Sequence, residues 1–327
     1  GKDADYMVLD TDSAITNNGL ATPTLYDSNG DRVIDSVYAG DMQGNVWKFD
    51  LSDANPNNWG SAYKSGSTPK PLFTARNDSN QVQPITAPVE IGAPPTGKSG
   101  VMIYFGTGRF FATNDNTNLE EQSLYGVLDS GSRITTTDRS ELQQQSILYE
   151  GTDTGTTGRT ATSAQIRVLS NTTVDWNTKK GWYLDLVPPS GTAQGERVVS
   201  IPLLRYGRVI FTTLVPSSDA CEFGGTSWIM EMDALTGGRL SESVFDLNSD
   251  TSFNATDYVT VTVGGVEITV PVSALKSTVG IIKTPTVVTA GTVEYKLASG
   301  TTGEISSTKE KSSTLGTGRV SWRELVE

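Results

Sequence analysis

Short runs of alternating apolar and polar residues recur along the chain, each closed by turn residues. Gly44 to Asp50 (GNVWKFD) reads as a strand with Val46, Lys48 and Asp50 on one face and Trp47 and Phe49 on the other. Ser123 to Asp129 (SLYGVLD) and Ser227 to Asp233 (SWIMEMD) have the same form, a strand ending in an acid. Thr, Val, Tyr and Trp dominate these stretches, as strands favour. One run, Asp138 to Tyr149 (DRSELQQQSILY), has helical composition and predicts about three turns of helix.

Two further elements repeat. A small residue followed by Pro opens a strand at Thr22-Pro23, Ala87-Pro88, Thr284-Pro285 and, less clearly, Ile201-Pro202. Tyr-small-Gly-polar follows at Tyr38-Ala39-Gly40-Asp41 and Tyr104-Phe105-Gly106-Thr107. The first two units lie roughly 65 residues apart and the third further on, a stretched period that propeller blades with inserted loops would give. A β-sandwich with coincidentally similar strands is the alternative. At roughly 65 to 80 residues per blade the chain holds about four or five blades. The expectation is one all-β, propeller-like domain over residues 1–327, a compact ring or part of a larger one. Segments 77–83, 151–165 and 299–318 are rich in Gly, Ser and Thr and read as mobile surface insertions. Trp47, Trp176, Trp182, Trp228 and Trp322 sit in strand-like contexts and read as blade packing.

Composition narrows the chemistry. A chain of 327 residues can build a core without disulfides or metals. The formal charge of −12 disfavours nucleic acid and suits solubility and divalent cations. Histidine is absent, which rules out a Ser-His-Asp triad and His-ligated zinc. A single cysteine, Cys221, rules out an internal disulfide and a cysteine-cluster metal site. It reads as a buried small residue, or else as a reactive or intermolecularly paired thiol. No apolar run is long enough for a transmembrane helix. The chain begins in mid-pattern at Gly1-Lys2-Asp3, so the expectation is a piece of a longer protein whose leader lies elsewhere.

The sharpest chemical signal is Asp27 to Asp35 (DSNGDRVID). Calcium takes six to eight oxygen ligands from a tight loop. Asp27, Asn29 and Asp31 at alternate positions would aim side-chain oxygens at one centre, Val33 would add its carbonyl, and Asp35 would close the shell. Gly30 permits the turn and Ile34 would anchor the loop in the core. The flanks Thr24 to Tyr26 and Ser36 to Ala39 read as strands, so the loop joins a hairpin rather than two helices. Arg32 stands where such loops often have Gly. The bland alternative is an Asx-rich turn, but three crowded carboxylates repel one another without a cation.

A second candidate is Asp246 to Asp257. Asp246, Asn248, Asp250, Ser252 and Asp257 would be its ligands, with an EF-like acid at the twelfth position and Thr251 in place of Gly. An empty, degenerate loop is the competing reading. Asp10-Thr11-Asp12 is a weak acidic pair that reads as a strand end.

Gly19 to Leu51 (GLATPTLYDSNGDRVIDSVYAGDMQGNVWKFDL) resembles the C-terminal domain of the PilY/PilC family of type IV pilus biogenesis proteins and pilus-tip adhesins. So do Val101 to Ala112, Glu222 to Gly237 and Gly318 to Glu327. The resemblance implies a modified propeller, similar to quinoprotein dehydrogenases, that binds calcium through Asp27, Asn29, Asp31, Val33 and Asp35. It implies a non-enzymatic factor at the outer membrane, cell surface or pilus tip of a Gram-negative bacterium. Such factors promote pilus extension over retraction, twitching motility and attachment. The implied partners are pilus components such as minor pilins, and host or abiotic surfaces. The Arg-Gly-Asp integrin motif of some members is absent here.

Two other functions compete. A structural β-domain could keep calcium as a permanent staple. A quinoprotein-type dehydrogenase could share the fold, although fold does not transfer activity and one cysteine cannot form the disulfide often found beneath that cofactor.

Overall fold

Each of the four X-Pro steps leads into a short strand, and each of those strands is a sheet edge paired antiparallel with its neighbour. The computed structural model describes residues 7–11, 16–136, 138–219, 221 and 223–312. The first sheet runs Thr24–Tyr26, Ser36–Gly40, Asn45–Asp50, with Gly60–Ser61 and Phe73–Thr74 pairing with the last of these. The second runs Glu90–Gly92, Val101–Gly106, Ser123–Asp129, Gly181–Asp185, then Gln143–Gln145 in parallel. The third runs Leu203–Arg205, Arg208–Thr212, Trp228–Asp233, Ala274–Lys276, Gln165–Leu169, Ile147–Thr152. The fourth is Thr286–Ala290, Val293–Ser299, Ile305–Lys311.

The opening strands stack side by side. Glu90–Gly92 lies against both Thr24–Tyr26 and Leu203–Arg205. The Thr24 hydroxyl donates to the Val89 carbonyl at 2.7 Å, and the Thr284 hydroxyl to the Ile201 carbonyl at 2.5 Å. This is a propeller arrangement, with successive sheets facing one another.

The apolar pattern explains the stacking. In the second sheet, Ile103, Phe105, Tyr125 and Val127 pack toward the first sheet with Val46 and Phe73. Met102, Tyr104, Leu124 and Leu128 point the other way, into a core shared with Phe211 and Met230 of the third sheet. Ile166, Ile210 and Ile229 of the third sheet then bury against Val259 and Val261 of the hairpin Tyr258–Val263/Val266–Pro271 and against Ala298 of the fourth sheet. A sheet buried on both faces alternates between two cores, not between core and solvent. For this reason Val101–Gly106 and Ser123–Asp129 are buried at every residue.

Charged groups tie the third sheet to the fourth. Lys296 is buried among Glu231, Glu294 and Glu310, its ammonium against the carboxylates of Glu231 and Glu310. Arg208 bridges Glu231 at 2.9 Å and Glu294 at 3.0 Å.

Several expectations need correction. The run 138–149 is not a helix: Gln143–Gln145 and Ile147–Thr152 are strands in different sheets. The fully buried Gln145 amide donates to the Thr172 and Thr236 carbonyls and accepts from the Ser170 hydroxyl, tertiary bonds that outweigh local propensity. Val46 is buried like Trp47 and Phe49, so the alternation is partial. Segment 77–83 has buried ends, Asn77 and Gln83, and Gln83 accepts the Tyr125 phenol at 2.6 Å. Segment 299–318 contains the strand Ile305–Lys311. Segment 151–165 is pinned by the buried Asp153, which pairs with Arg159 at 2.5 Å. Trp176 lies in a turn, packed on the core edge. Cys221 is exposed, which overturns the buried reading. Asp12, Trp322, Glu222 and the terminal 318–327 stretch lie outside the described residues.

Candidate metal centre

The Asp27–Asp35 loop connects Thr24–Tyr26 to Ser36–Gly40 as a hairpin. Those strands are registered Tyr26 opposite Ser36, and the Asp35 N–H donates to the Tyr26 carbonyl at 3.0 Å. The loop then folds on itself through its short polar side chains. Asp27 Oδ1 accepts the N–H groups of Gly30 at 2.7 Å and Asn29 at 3.2 Å, and Oδ2 accepts that of Arg32 at 2.7 Å. Asn29 Oδ1 accepts from Asp31 N–H at 2.8 Å, and Asp31 Oδ1 from Val33 N–H at 2.7 Å. Asp35 Oδ2 accepts both the Ser28 N–H, at 2.7 Å, and the Ser28 hydroxyl.

Two residues take the left-handed conformation that this path requires, Gly30 at φ 79° and Arg32 at φ 75°. Arg32 therefore stands at a position that glycine would fill without strain. The Arg32 amide, with those of Gly30 and Asn29, holds the Asp27 carboxyl below the usual carboxylate range. Ile34 is half-buried, and Val33 is exposed.

The second loop follows the same path. Asp246 Oδ2 accepts from Thr251 N–H at 3.1 Å, Asn248 Oδ1 from Asp250 N–H at 3.1 Å, and Asp250 Oδ1 from Ser252 N–H at 2.7 Å. Thr251 has φ 67°, at the same loop position as Arg32. The closing acids also match. Asp257 Oδ1 accepts the N–H of Leu247 at 2.9 Å, as Asp35 accepts that of Ser28. A short 3-10 turn, Ala255–Asp257, spans the extra residues and lets an acid at position twelve reach the place reached by one at position nine. Asp257 is buried, and burial first, then the charges of Asp246 and Asp250, push its carboxyl upward.

The two loops differ in charge balance. Lys309 places its ammonium 2.8 Å from Asp246 Oδ2 in the second. No ion pair ties Asp27, Asp31 or Asp35 among the described residues. Among the described residues no three His, Cys, Asp or Glu side chains converge as a metal's ligand set. The loop carboxylates are turned onto N–H and O–H donors instead. Each oxygen accepting one N–H keeps a second lone pair. The all-oxygen donor set and the backbone path are of the kind that suits a hard cation.

Asp35 and Ser28 also line a cleft of about 610 Å3 between the first and second sheets. At its floor the buried Asp129 accepts the phenols of Tyr38, at 2.7 Å, and Tyr63, and pairs with Lys48 at 3.0 Å. Burial would raise the Asp129 pKa, but the phenols, the Gly131 N–H and Lys48 bring it below the usual range. Burial and Asp129 push both tyrosines upward. The strand-ending acid pattern marked Asp129; nothing local in the sequence pairs it with Tyr38, 91 residues away.

Residues 9–158 match the family described as the PilY1 beta-propeller domain. A "Type IV pilus biogenesis factor PilY1 homolog" of Xylella fastidiosa is 39% identical over 252 residues, 76% of this chain and 16% of the relative. "Type IV pilus biogenesis factor PilY1" of Pseudomonas aeruginosa is 35% identical over 276 residues, 72% of this chain and 23% of the relative. The crystal structure of the Pseudomonas aeruginosa PilY1 C-terminal domain superposes with a TM-score of 0.73 at 29% identity, covering 91% of this chain and 62% of that one. The chain thus spans less than a quarter of the length of these curated relatives.

Proposed function

Given that the chain belongs with the PilY1 proteins, a non-enzymatic family of type IV pilus biogenesis factors, we propose that it is a calcium-binding propeller module of such a factor. In this reading it acts at the cell surface or pilus tip of a Gram-negative bacterium, on pilus components such as minor pilins. Its calcium state favours pilus extension over retraction and so supports twitching motility and attachment.

The observation that carries the calcium reading is the nested path of the Asp27–Asp35 loop, with left-handed residues at Gly30 and Arg32. Calcium would be held by Asp27, Asn29, Asp31, the Val33 carbonyl and Asp35. It would supply positive charge to offset the Asp27, Asp31 and Asp35 carboxylates beyond the single charge of Arg32. Asp35 would leave Ser28 to reach the ion. Because both residues line the Tyr38–Tyr63–Asp129 cleft, that movement would alter a surface between two sheets.

Calorimetry with calcium on wild type, Asp31→Ala and Asp35→Ala tests the site. Wild-type binding that is lost in both variants is expected, and equal affinity in all three would sink it. The same substitutions in the full-length factor should reduce piliation and twitching. Loss of binding with unchanged motility would reduce calcium to a staple.

A further inference from the structure

Lys296 is a primary amine sealed in with three carboxylates. It is 1% exposed, and Glu231, Glu294 and Glu310 around it are each 0% exposed. The strand register brings them together. In the pair Val293–Ser299/Ile305–Lys311, Glu294 stands opposite Glu310 and Lys296 opposite Thr308. Their side chains therefore leave on one face, toward Glu231 of the third sheet, and Lys296 reaches Glu310 along the diagonal of the ladder.

The three carboxylates are not equivalent. Glu231 Oε2 pairs with Arg208 at 2.9 Å. Glu294 pairs with Arg208 at 3.0 Å through Oε1 and with Arg205 at 3.0 Å through Oε2. Glu310 has no guanidinium among the described residues. Neither of its oxygens has a hydrogen-bond partner there, and Lys296 Nζ is the one charged group against it. The fully buried Phe245 is bridged to Glu310 from the neighbouring segment. An ion pair held out of water without further hydrogen bonds has little to keep it charged. Passing one proton from Nζ to the carboxylate gives a neutral amine against a neutral carboxylic acid. Burial, acting against the attraction of Glu231, already holds the Lys296 pKa below its usual value.

We propose that Lys296 and Glu310 are joined by an amide bond between their side chains, made within the folded chain. Lys296 Nζ attacks Glu310 Cδ, the Nζ–Cδ bond forms, and one Cδ–Oε bond breaks. Glu231 Oε1, which lies against Nζ, takes a proton from the attacking nitrogen and returns it to the leaving oxygen, which departs as water. One ammonium and one carboxylate become one amide and one water, and nothing is oxidised or reduced. Groups fixed side by side in this way react with effective molarities of about 10⁵ M or more. Exclusion of water then protects the product. Charge balance survives the loss of one pair, because Arg205 and Arg208 remain against Glu231 and Glu294. The bond clamps two neighbouring strands of the fourth sheet on their inner face. The inference rests on neither the calcium loop nor the pilus reading.

Mass spectrometry of the whole domain, purified folded and denatured only for the measurement, tests it. The intact mass should lie about 18 Da, one water, below that of the sequence. Trypsin should fail to cut after Lys296, and tandem spectra should find residues 284–309 joined to Glu310. Lys296→Arg, which keeps the charge, should show no loss of water. Glu231→Gln, which cannot carry the proton, should leave at least half of the chains unjoined. Wild type at its full sequence mass, with Lys296 cut by trypsin, overturns the proposal. So does a loss of water that maps to other residues or persists in Lys296→Arg. Complete joining in Glu231→Gln overturns the proton path. The wild-type mass decides even if a variant fails to fold.

Discussion

The ammonium of Lys309 lies 2.8 Å from Asp246 Oδ2, within the loop whose backbone path repeats that of Asp27–Asp35. A tethered cation occupies charge space that calcium would need. Lys309→Met should therefore create calcium binding at Asp246–Asp257 that the wild type lacks. Calorimetry should then count one more calcium per chain than in wild type, and an unchanged count would show that the second loop is not a calcium loop.

The hairpin loop was legible because its pattern is local: oxygen side chains at alternate positions and strands on both sides. Its twin was less so. Asp257 does the work of Asp35 only through the 3-10 turn Ala255–Asp257, and Lys309 reaches Asp246 from 63 residues away. The blades were legible from X-Pro steps and strand-ending acids. The region 138–149 was not, because the bonds of Gln145 go to Thr172 and Thr236, which no local window contains.

Arg32 invites a single substitution. At φ 75° a side chain costs about 1 kcal/mol, part of which glycine returns as entropy of the unfolded chain. Arg32→Gly should stabilise the folded loop by about 0.5 kcal/mol and tighten calcium severalfold. Parallel calcium titrations of the two proteins measure this, and weaker binding in the glycine variant would contradict it.

The Lys296 cluster should be intolerant of charge deletion. Lys296→Met leaves Glu231, Glu294 and Glu310 facing one another with Arg208 and Arg205 as the remaining cations. Breaking a buried ionic cluster in this way costs about 3–5 kcal/mol. Urea denaturation should report it, and Lys296→Met with Glu310→Leu should recover a large part.

Glu121 sets a pH dependence. Burial first, then the Asp185 carboxylate, raises its pKa from 4.5 to about 7, against the opposing pull of Arg139. The folded state thus holds a proton that the unfolded state has released between those values. Stability should fall as pH rises through that window. Thermal melts of wild type and Glu121→Gln should diverge between pH 5 and pH 8, the variant losing less on the alkaline side. Parallel pH profiles would exclude Glu121 as the cause.

The four opening strands are short, lie at the edges of their sheets and follow directly on a proline or one residue after it. A proline offers no N–H, so each edge ladder lacks a donor just before its strand begins. The prolines at 23, 88, 202 and 285 therefore withhold a donor at the margin of each sheet, an obstacle to strand pairing between copies set by the same dipeptides that open the blades.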